Sequence, residues 1–170
     1  MDSTKTPTAL RAQPRLWPNP YARHSDTENN EYMTLKEFIS QGDKFAAHAG
    51  ARLVTVKDGY AKSQLTVAEK HLNAGGVCQG GAIFTLADVA LAAVSNAGLQ
   101  LTFAINSSIF YHRSAMLGDT LTAEAVAVSK HPKVPYCEVS VRNQDGTLIA
   151  SFQATCYSKR VALENVDSLE

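Results

Sequence analysis

The sequence has no excess of either charge, because its 170 residues contain 16 Lys and Arg and 16 Asp and Glu. Binding to nucleic acid depends on Lys and Arg that neutralise phosphates on one face of a protein. Here the basic residues are spread along the chain, so we expect no nucleic-acid partner. The apolar fraction of 45% is ordinary for a globular protein, and the chain is long enough to bury one core.

The sequence also lacks a long apolar run. Residues 1–31 are polar and hold four of the six prolines, without the apolar centre of a secretory signal. The most apolar stretch, residues 82–94, is too short to span a bilayer. We therefore expect a cytoplasmic protein with no membrane association, in which residues 1–31 form an irregular extension.

Paired cysteines and metal-ligand spacings are missing as well. Cys78, Cys137 and Cys156 cannot all pair within one chain, and none belongs to a Cys-x-x-Cys motif. This favours free thiols in a reducing compartment. The five histidines show no spacing typical of metal ligands, and the cysteines add none, so we predict no metal.

The pattern of apolar residues predicts a helix, two strands, a long helix and four strands, in that order. Thr34 and Glu37 form a capping-box pattern before the first helix, which is interrupted near Gly42 and ends at Gly50. The predicted strands are 53–56, 60–67, 99–113, 120–129, 136–142 and 147–157. This order predicts an α+β domain at 32–160, with an antiparallel sheet around one buried helix and a tail at 161–170.

The predicted long helix carries a single acid, Asp88, and follows two adjacent glycines, Gly80 and Gly81. Apolar residues occur around nearly the whole helix, so we expect the helix to be buried. A buried carboxylate is costly unless it is paired or hydrogen-bonded. Asp88 is therefore the leading candidate for a catalytic residue. The alternative is a structural acid that is hydrogen-bonded to a loop or a neighbouring subunit, with the glycines serving loop packing.

The loop and helix at residues 71–88 read HLNAGGVCQGGAIFTLAD. This stretch resembles the signature of hotdog-fold thioesterases of the phenylacetate-degradation (PaaI) type. In that signature an Asn and a glycine precede His-Gly-Gly, an apolar stretch and Leu-Ala-Asp. Weaker matches at Arg113, 117–121 and 145–150 follow in the right order, and the resemblance covers roughly residues 35–160.

The resemblance implies a hotdog fold, hydrolysis of acyl-CoA thioesters, and homodimers or dimers of dimers with shared active sites. Coenzyme A would be part of the substrate, so no cofactor is expected. By the same resemblance Asn73 matches the loop Asn, and Gly80 matches the glycine whose backbone N–H binds the thioester oxygen. Asp88 matches the catalytic acid.

The sequence departs from the family pattern at two places. Gln79 stands where many relatives have His, and Gln can hydrogen-bond but cannot titrate. We therefore expect no proton transfer at Gln79 and assign the acid–base chemistry to Asp88. On the strand after the helix, Ala104 aligns with a hydroxyl that some relatives use to position water. Asn106 and Ser108, two and four residues on, are expected on the same strand face.

The spacing of Gly80 and Asp88 bears on the assembly. Eight residues of helix place their Cα atoms about 12 Å apart, which is too far for one thioester group to touch both. If both act on one bond, they come from different subunits. Asp88 would then act as general base on water, or attack directly to give a mixed anhydride; the sequence leaves both routes open.

The remaining candidates concern substrate binding. Asn73 and Gln79 either contact the substrate or brace the loop. The expected acyl group is an aryl or medium-chain group. The residues predicted to line the substrate are Gly81, Phe84, Asn106, Ser108, Arg113 and Lys133.

Two other functions stay open at this point. One is a hotdog dimer that binds acyl-CoA, or a protein partner, without hydrolysis, which the replacement of His by Gln79 suggests. The other is a thioester hydratase or dehydratase, which would need a His–acid pair. His71 is the only histidine near the motif, and it lies in the loop well before the helix.

Overall fold

A computed structural model describes residues 32–170, so the predicted extension at 1–31 lies outside the described residues. The helices are α1 Leu35–Gly42, α2 Lys44–Ala49 and α3 Gly80–Ser95. A single 3-10 turn covers Glu69–His71. The strands are β1 Met33–Thr34, β2 Arg52–Lys57, β3 Tyr60–Thr66, β4 Gln100–Tyr111, β5 Thr120–Ser129, β6 Tyr136–Arg142, β7 Leu148–Ala162 and β8 Val166–Ser168.

Six strands form one antiparallel sheet in the order β2-β3-β5-β6-β7-β4. Helix α3 packs on one face of this sheet and buries eight of its 16 residues there. Alternate strand residues such as Leu121, Val139 and Phe152 face the helix and are buried. The predicted α+β class and hotdog architecture are confirmed. Among residues 32–170, no helix is both long and apolar enough to cross a bilayer.

The first helical segment confirms the predicted capping box. The Thr34 side chain accepts a hydrogen bond from the Glu37 N–H at 3.1 Å, and the Glu37 carboxylate accepts one from the Thr34 N–H at 2.9 Å. Asp43 separates α1 from α2 and caps α2, because its carboxylate accepts from the Ala46 N–H at 2.8 Å. Gly50 ends α2 with φ of 82°, a conformation that favours glycine.

The C-terminal segment predicted as a tail is folded onto the domain. Strand β7 runs to Ala162, and β8 pairs in parallel with β1. Leu163 and Val166 are buried in the core. β1 and β8 were not predicted, because strands of two and three residues are too short to show an alternating pattern.

Strand β4 forms one edge of the sheet and contains a β-bulge. Ala104 pairs with Cys156 and Asn106 with Thr155, so Ile105 is an extra residue without a partner in β7. The bulge inverts the alternation of side chains along the strand. Asn106 and Ser108 therefore face away from α3, and the prediction that they share the face of Ala104 is wrong.

Candidate active site

The N-terminus of α3 leaves one backbone donor without a partner. The Gln79 carbonyl accepts from the N–H groups of Ala82 and Ile83, at 3.0 and 3.5 Å. The Gln79 side-chain oxygen accepts from the Gly81 N–H and so caps the helix. Within the described part of the chain, the Gly80 N–H makes no hydrogen bond. It points outward from the positive end of the helix dipole, where an anion is favoured.

The loop before α3 is held by its own polar groups. The Asn73 side-chain oxygen accepts from the N–H groups of Gly75 at 2.8 Å and Val77 at 3.4 Å. The Gln79 N–H donates to the His71 carbonyl at 2.7 Å. Asn73 and Gln79 thus brace the loop through their oxygens, and both side chains are exposed. A substrate contact by either side chain stays a prediction.

His71 has a structural part in the same loop. Its Nδ1 accepts from the Ala68 N–H at 2.9 Å, so Nε2 carries the proton and donates to the Ala49 carbonyl at 2.7 Å. The side chain is buried, with both ring nitrogens engaged by backbone. His71 therefore offers no free nitrogen for the His–acid pair that a hydratase would need.

A cleft of about 480 Å³ opens beside the Gly80 N–H. Its walls include Cys78, Ile83, Tyr111 and the exposed Arg113. Burial raises the pKa of the Cys78 thiol, and the charge of Asp119 raises it further, so the thiol stays protonated near neutral pH. The structure thus brings one predicted cation to the predicted oxyanion donor and disfavours Cys78 as a nucleophile.

Asp88 lies two turns further along α3, on the side of the helix that the chain leaves open. After residue 82, the α3 residues that are not fully buried are Phe84, Thr85, Asp88, Ala92 and Ser95, which share one helical face. The Asp88 carboxyl makes no hydrogen bond or ion pair within residues 32–170. Burial raises the pKa of this carboxyl above its ordinary value, and negative charge on Asp43 raises it further.

Gly80 and Asp88 of one chain do not converge on a common point. They belong to the same helix, and the regular rise of α3 separates their Cα atoms by about 12 Å. The cleft beside Gly80 does not include Asp88 among its walls. Within one chain, the Gly80 N–H and the Asp88 carboxyl therefore lie in two separate places on α3.

The other predicted substrate residues are scattered. Phe84 is partly buried and packs edge-on against the buried Phe152, with ring centroids 5.1 Å apart. Ser108 lines a groove on the outer face of the sheet, and Asn106 shares that face. Lys133 lies over the Tyr157 ring at 5.6 Å, and it is not among the residues around the Gly80 cleft.

Ser107 is a hydroxyl on the helix side of β4 that the sequence reading missed. It pairs with Ala154, whose side chain is buried beneath α3. Plain alternation from Ala104 assigns Ser107 to the outer face, and only the bulge at Ile105 places it inside. Sequence periodicity offers no signal for a single inserted residue.

The chain is similar in sequence to several known proteins. Residues 75–150 match the family model of the thioesterase superfamily. A putative esterase of Archaeoglobus fulgidus is 40% identical over 123 residues, covering 72% of this chain and 80% of that protein. The acyl-coenzyme A thioesterase PaaI of Escherichia coli is 29% identical over 113 residues, covering 66% of this chain and 81% of its own.

Several solved structures have the same fold as this chain. The structure of E. coli PaaI superposes with a TM-score of 0.70 at 26% identity, covering 76% of this chain and 99% of that one. The protein smu.793 of Streptococcus mutans, solved bound to acetyl CoA, superposes with a TM-score of 0.61 at 31% identity, covering 63% and 86%. The chain therefore belongs to the thioesterase superfamily, as a PaaI-type hotdog thioesterase that hydrolyses thioesters.

Proposed function

We propose that this protein hydrolyses acyl-CoA thioesters in active sites shared by two subunits. The observation that carries this proposal is the Gly80 N–H at the start of α3, which has no hydrogen-bond partner in the described part of the chain and lies at a cleft that also holds Arg113. The names of two relatives support the substrate class: one is an acyl-coenzyme A thioesterase, and the other was solved with acetyl CoA bound.

The Gly80 N–H supplies the oxyanion donor. Attack on a thioester carbonyl moves negative charge onto its oxygen, and a preorganised donor at a helix N-terminus stabilises that charge. The cleft beside Gly80 gives the thioester access to this donor. The amide nitrogens of Asn73 and Gln79 are left for further contacts, since only the oxygens of these side chains brace the loop.

Asp88 of the second subunit supplies the base or nucleophile. Burial raises the pKa of this carboxyl, which makes the carboxylate more basic than an exposed one. Both routes, activation of water and direct attack, require this ionised form. The reaction needs no metal or further cofactor, because the donor, the acid and water supply every step.

The coenzyme A portion carries phosphates, and Arg113 lies exposed at the cleft beside Gly80. A guanidinium at this position pairs with phosphate oxygens at the entrance while the thioester reaches Gly80. Lys133 lies in the loop after β5 and would reach the substrate only from another subunit.

The edge strand β4 supports a second copy of this chain as the partner. It is 12 residues long, and its outward neighbour position is empty within the described residues. Ile105 and Phe110 on this strand are 63% and 67% exposed. A long apolar edge is a template for strand pairing, and pairing β4 with its copy would bring the open face of α3 against the partner. The proposed assembly is therefore a homodimer formed through β4, or a dimer of such dimers.

The direct test is thiol release from a panel of acyl-CoAs. We expect turnover of aryl and medium-chain acyl-CoAs well above the uncatalysed rate, and slower turnover of acetyl-CoA, because its short acyl group has little apolar surface to bury. Binding of acyl-CoA without release of thiol from any substrate would contradict this proposal and would indicate the non-catalytic alternative.

Shared sites predict complementation between two inactive variants, Asp88→Asn and Gly80→Pro. Each variant removes a different half-site and should retain below about 1% of the wild-type kcat. After the two are co-expressed or refolded together, half of the dimers are mixed and each has one intact site. The recovered activity should therefore reach about 25% of wild type for an isologous dimer.

The control is each variant refolded alone at the same total concentration. If the mixture shows only the sum of the two residual activities, Gly80 and Asp88 do not act on one bond from different subunits.

A further inference from the structure

We propose that Tyr111 is a positioning residue for the thioesterase reaction, holding the N-terminus of α3 so that the Gly80 N–H stays aimed at the thioester oxygen. This inference rests on the proposed function of Gly80. Tyr111 lies outside the motif at residues 71–88. It is the last residue of β4, 31 positions after Gly80.

The first observation is a hydrogen bond between the two elements. The Tyr111 hydroxyl donates to the Gly80 carbonyl at 2.8 Å. Gly80 is the first residue of α3, where the chain has just left a loop and the backbone is held least firmly. The bond therefore pins the first peptide of the helix to the end of a strand in the sheet.

The second observation is the close approach of the Tyr111 ring to the Gly80 Cα. A Cβ placed on Gly80 would lie 2.9 Å from both the Tyr111 Cζ and its hydroxyl oxygen, closer than carbon atoms pack. The ring thus occupies the space that any other residue at position 80 would need. The same ring forms one wall of the cleft beside Gly80.

The Tyr111 hydroxyl can donate its hydrogen bond at every pH at which the phenol keeps its proton. Burial raises the pKa of the Tyr111 phenol above its ordinary value near 10, and the neighbouring Cys78 raises it further. The phenol therefore keeps its proton throughout the pH range in which the enzyme would work. Within the described residues, the Gly80 carbonyl is the only group to which this hydroxyl donates.

The position of Tyr111 also couples the two half-sites. β4 is the edge strand proposed to pair with its copy, and the partner's half-site would arrive across that edge. The contact from Tyr111 to Gly80 sets the distance between this edge and the oxyanion donor. An error of about 1 Å in such a distance is enough to slow a reaction that depends on alignment.

The test is Tyr111→Phe, which keeps the ring and removes only the hydroxyl. We expect kcat for the best acyl-CoA of the panel to fall about tenfold. A misaligned Gly80 N–H stabilises the oxyanion less well than an aligned one, but the loss is smaller than if the N–H were absent. KM should change less than about twofold, because the walls of the cleft are retained.

Tyr136→Phe is the matched control. Tyr136 also donates a hydroxyl hydrogen bond, to the Gln153 side chain at 2.8 Å, on the outer face of the sheet. It should retain wild-type kcat and KM. A second variant, Tyr111→Leu, removes the ring as well, and should lower kcat at least as far and also raise KM.

The possible results separate the two proposals. If the wild-type protein cleaves no acyl-CoA, the proposed function fails. If the wild type is active and Tyr111→Phe keeps its kcat, or loses thermal stability with kcat unchanged, Tyr111 is a structural residue and the inference is overturned. A loss of kcat with KM retained, absent from Tyr136→Phe, supports it.

Discussion

Asp88→Asn is expected to lower kcat for acyl-CoA hydrolysis by at least about a thousandfold, with the protein still folded. The amide has the shape of the carboxyl group but neither accepts a proton from water nor attacks a carbonyl carbon. Because the Asp88 carboxyl makes no hydrogen bond or ion pair within residues 32–170, no described contact is lost. Thiol release under saturating substrate measures the effect.

The same substitution should raise stability at neutral pH. The pKa of Asp88 is raised in the folded protein, so the folded state holds this proton more tightly than the unfolded state. The carboxylate therefore destabilises the fold above its raised pKa, and this cost disappears below the ordinary Asp value of about 4. Asp88→Asn should therefore raise Tm measurably at pH 7.5 and leave it unchanged at pH 3.5.

The control is Asp145→Asn, in the exposed turn between β6 and β7. It should keep wild-type kcat and show no pH-dependent gain in Tm. An Asp88→Asn protein that retains more than a few per cent of wild-type turnover would remove Asp88 from the chemistry. An equal change in Tm at both pH values would show that the carboxyl carries no burial cost.

Gly80→Pro is expected to lower kcat by about 10²–10³ relative to Gly80→Ala, by removing the oxyanion donor itself. Proline is well suited to the first residue of a helix, and the residue before it must be extended. Gln79 meets this condition with φ of −65° and ψ of 135°. The substitution therefore removes the N–H without forcing the backbone.

Gly80→Ala is the matched control because it keeps the N–H. Both variants carry a Cβ that meets the Tyr111 ring at 2.9 Å, so the cost of displacing that ring is common to both. The difference between them isolates the donor. Equal kcat values for the two variants would mean that the Gly80 N–H does not stabilise the transition state.

The sequence predicted those parts of the fold that depend on local pattern. The alternation of apolar residues in the strands, the apolar helix from residue 83 and the Thr34–Glu37 capping box each appear where they were expected. These signals are local because backbone periodicity and helix caps depend on residues only a few positions apart. The pattern failed at Ile105, where one inserted residue reversed the faces of Asn106 and Ser108.

The candidate site was predictable to the extent that it lies in one continuous motif. Asn73, Gly80 and Asp88 were found because they occupy one loop and one helix. The position of Tyr111 and Ser107 relative to α3 could not be predicted, because it depends on the pairing between β4 and β7. Arg113 was one of several dispersed cations, and only the folded chain placed it in the cleft beside Gly80.

By itself, the sequence determined the family, the element order and the separation of Gly80 from Asp88, because a helical rise follows from residue count alone. The tertiary structure decided which groups surround each half-site. It showed that the Gly80 N–H has no hydrogen-bond partner among residues 32–170, that the Tyr111 hydroxyl donates to the Gly80 carbonyl, and that the α3 face around Asp88 is not fully buried. Those facts depend on contacts between residues far apart in the chain, which no local pattern encodes.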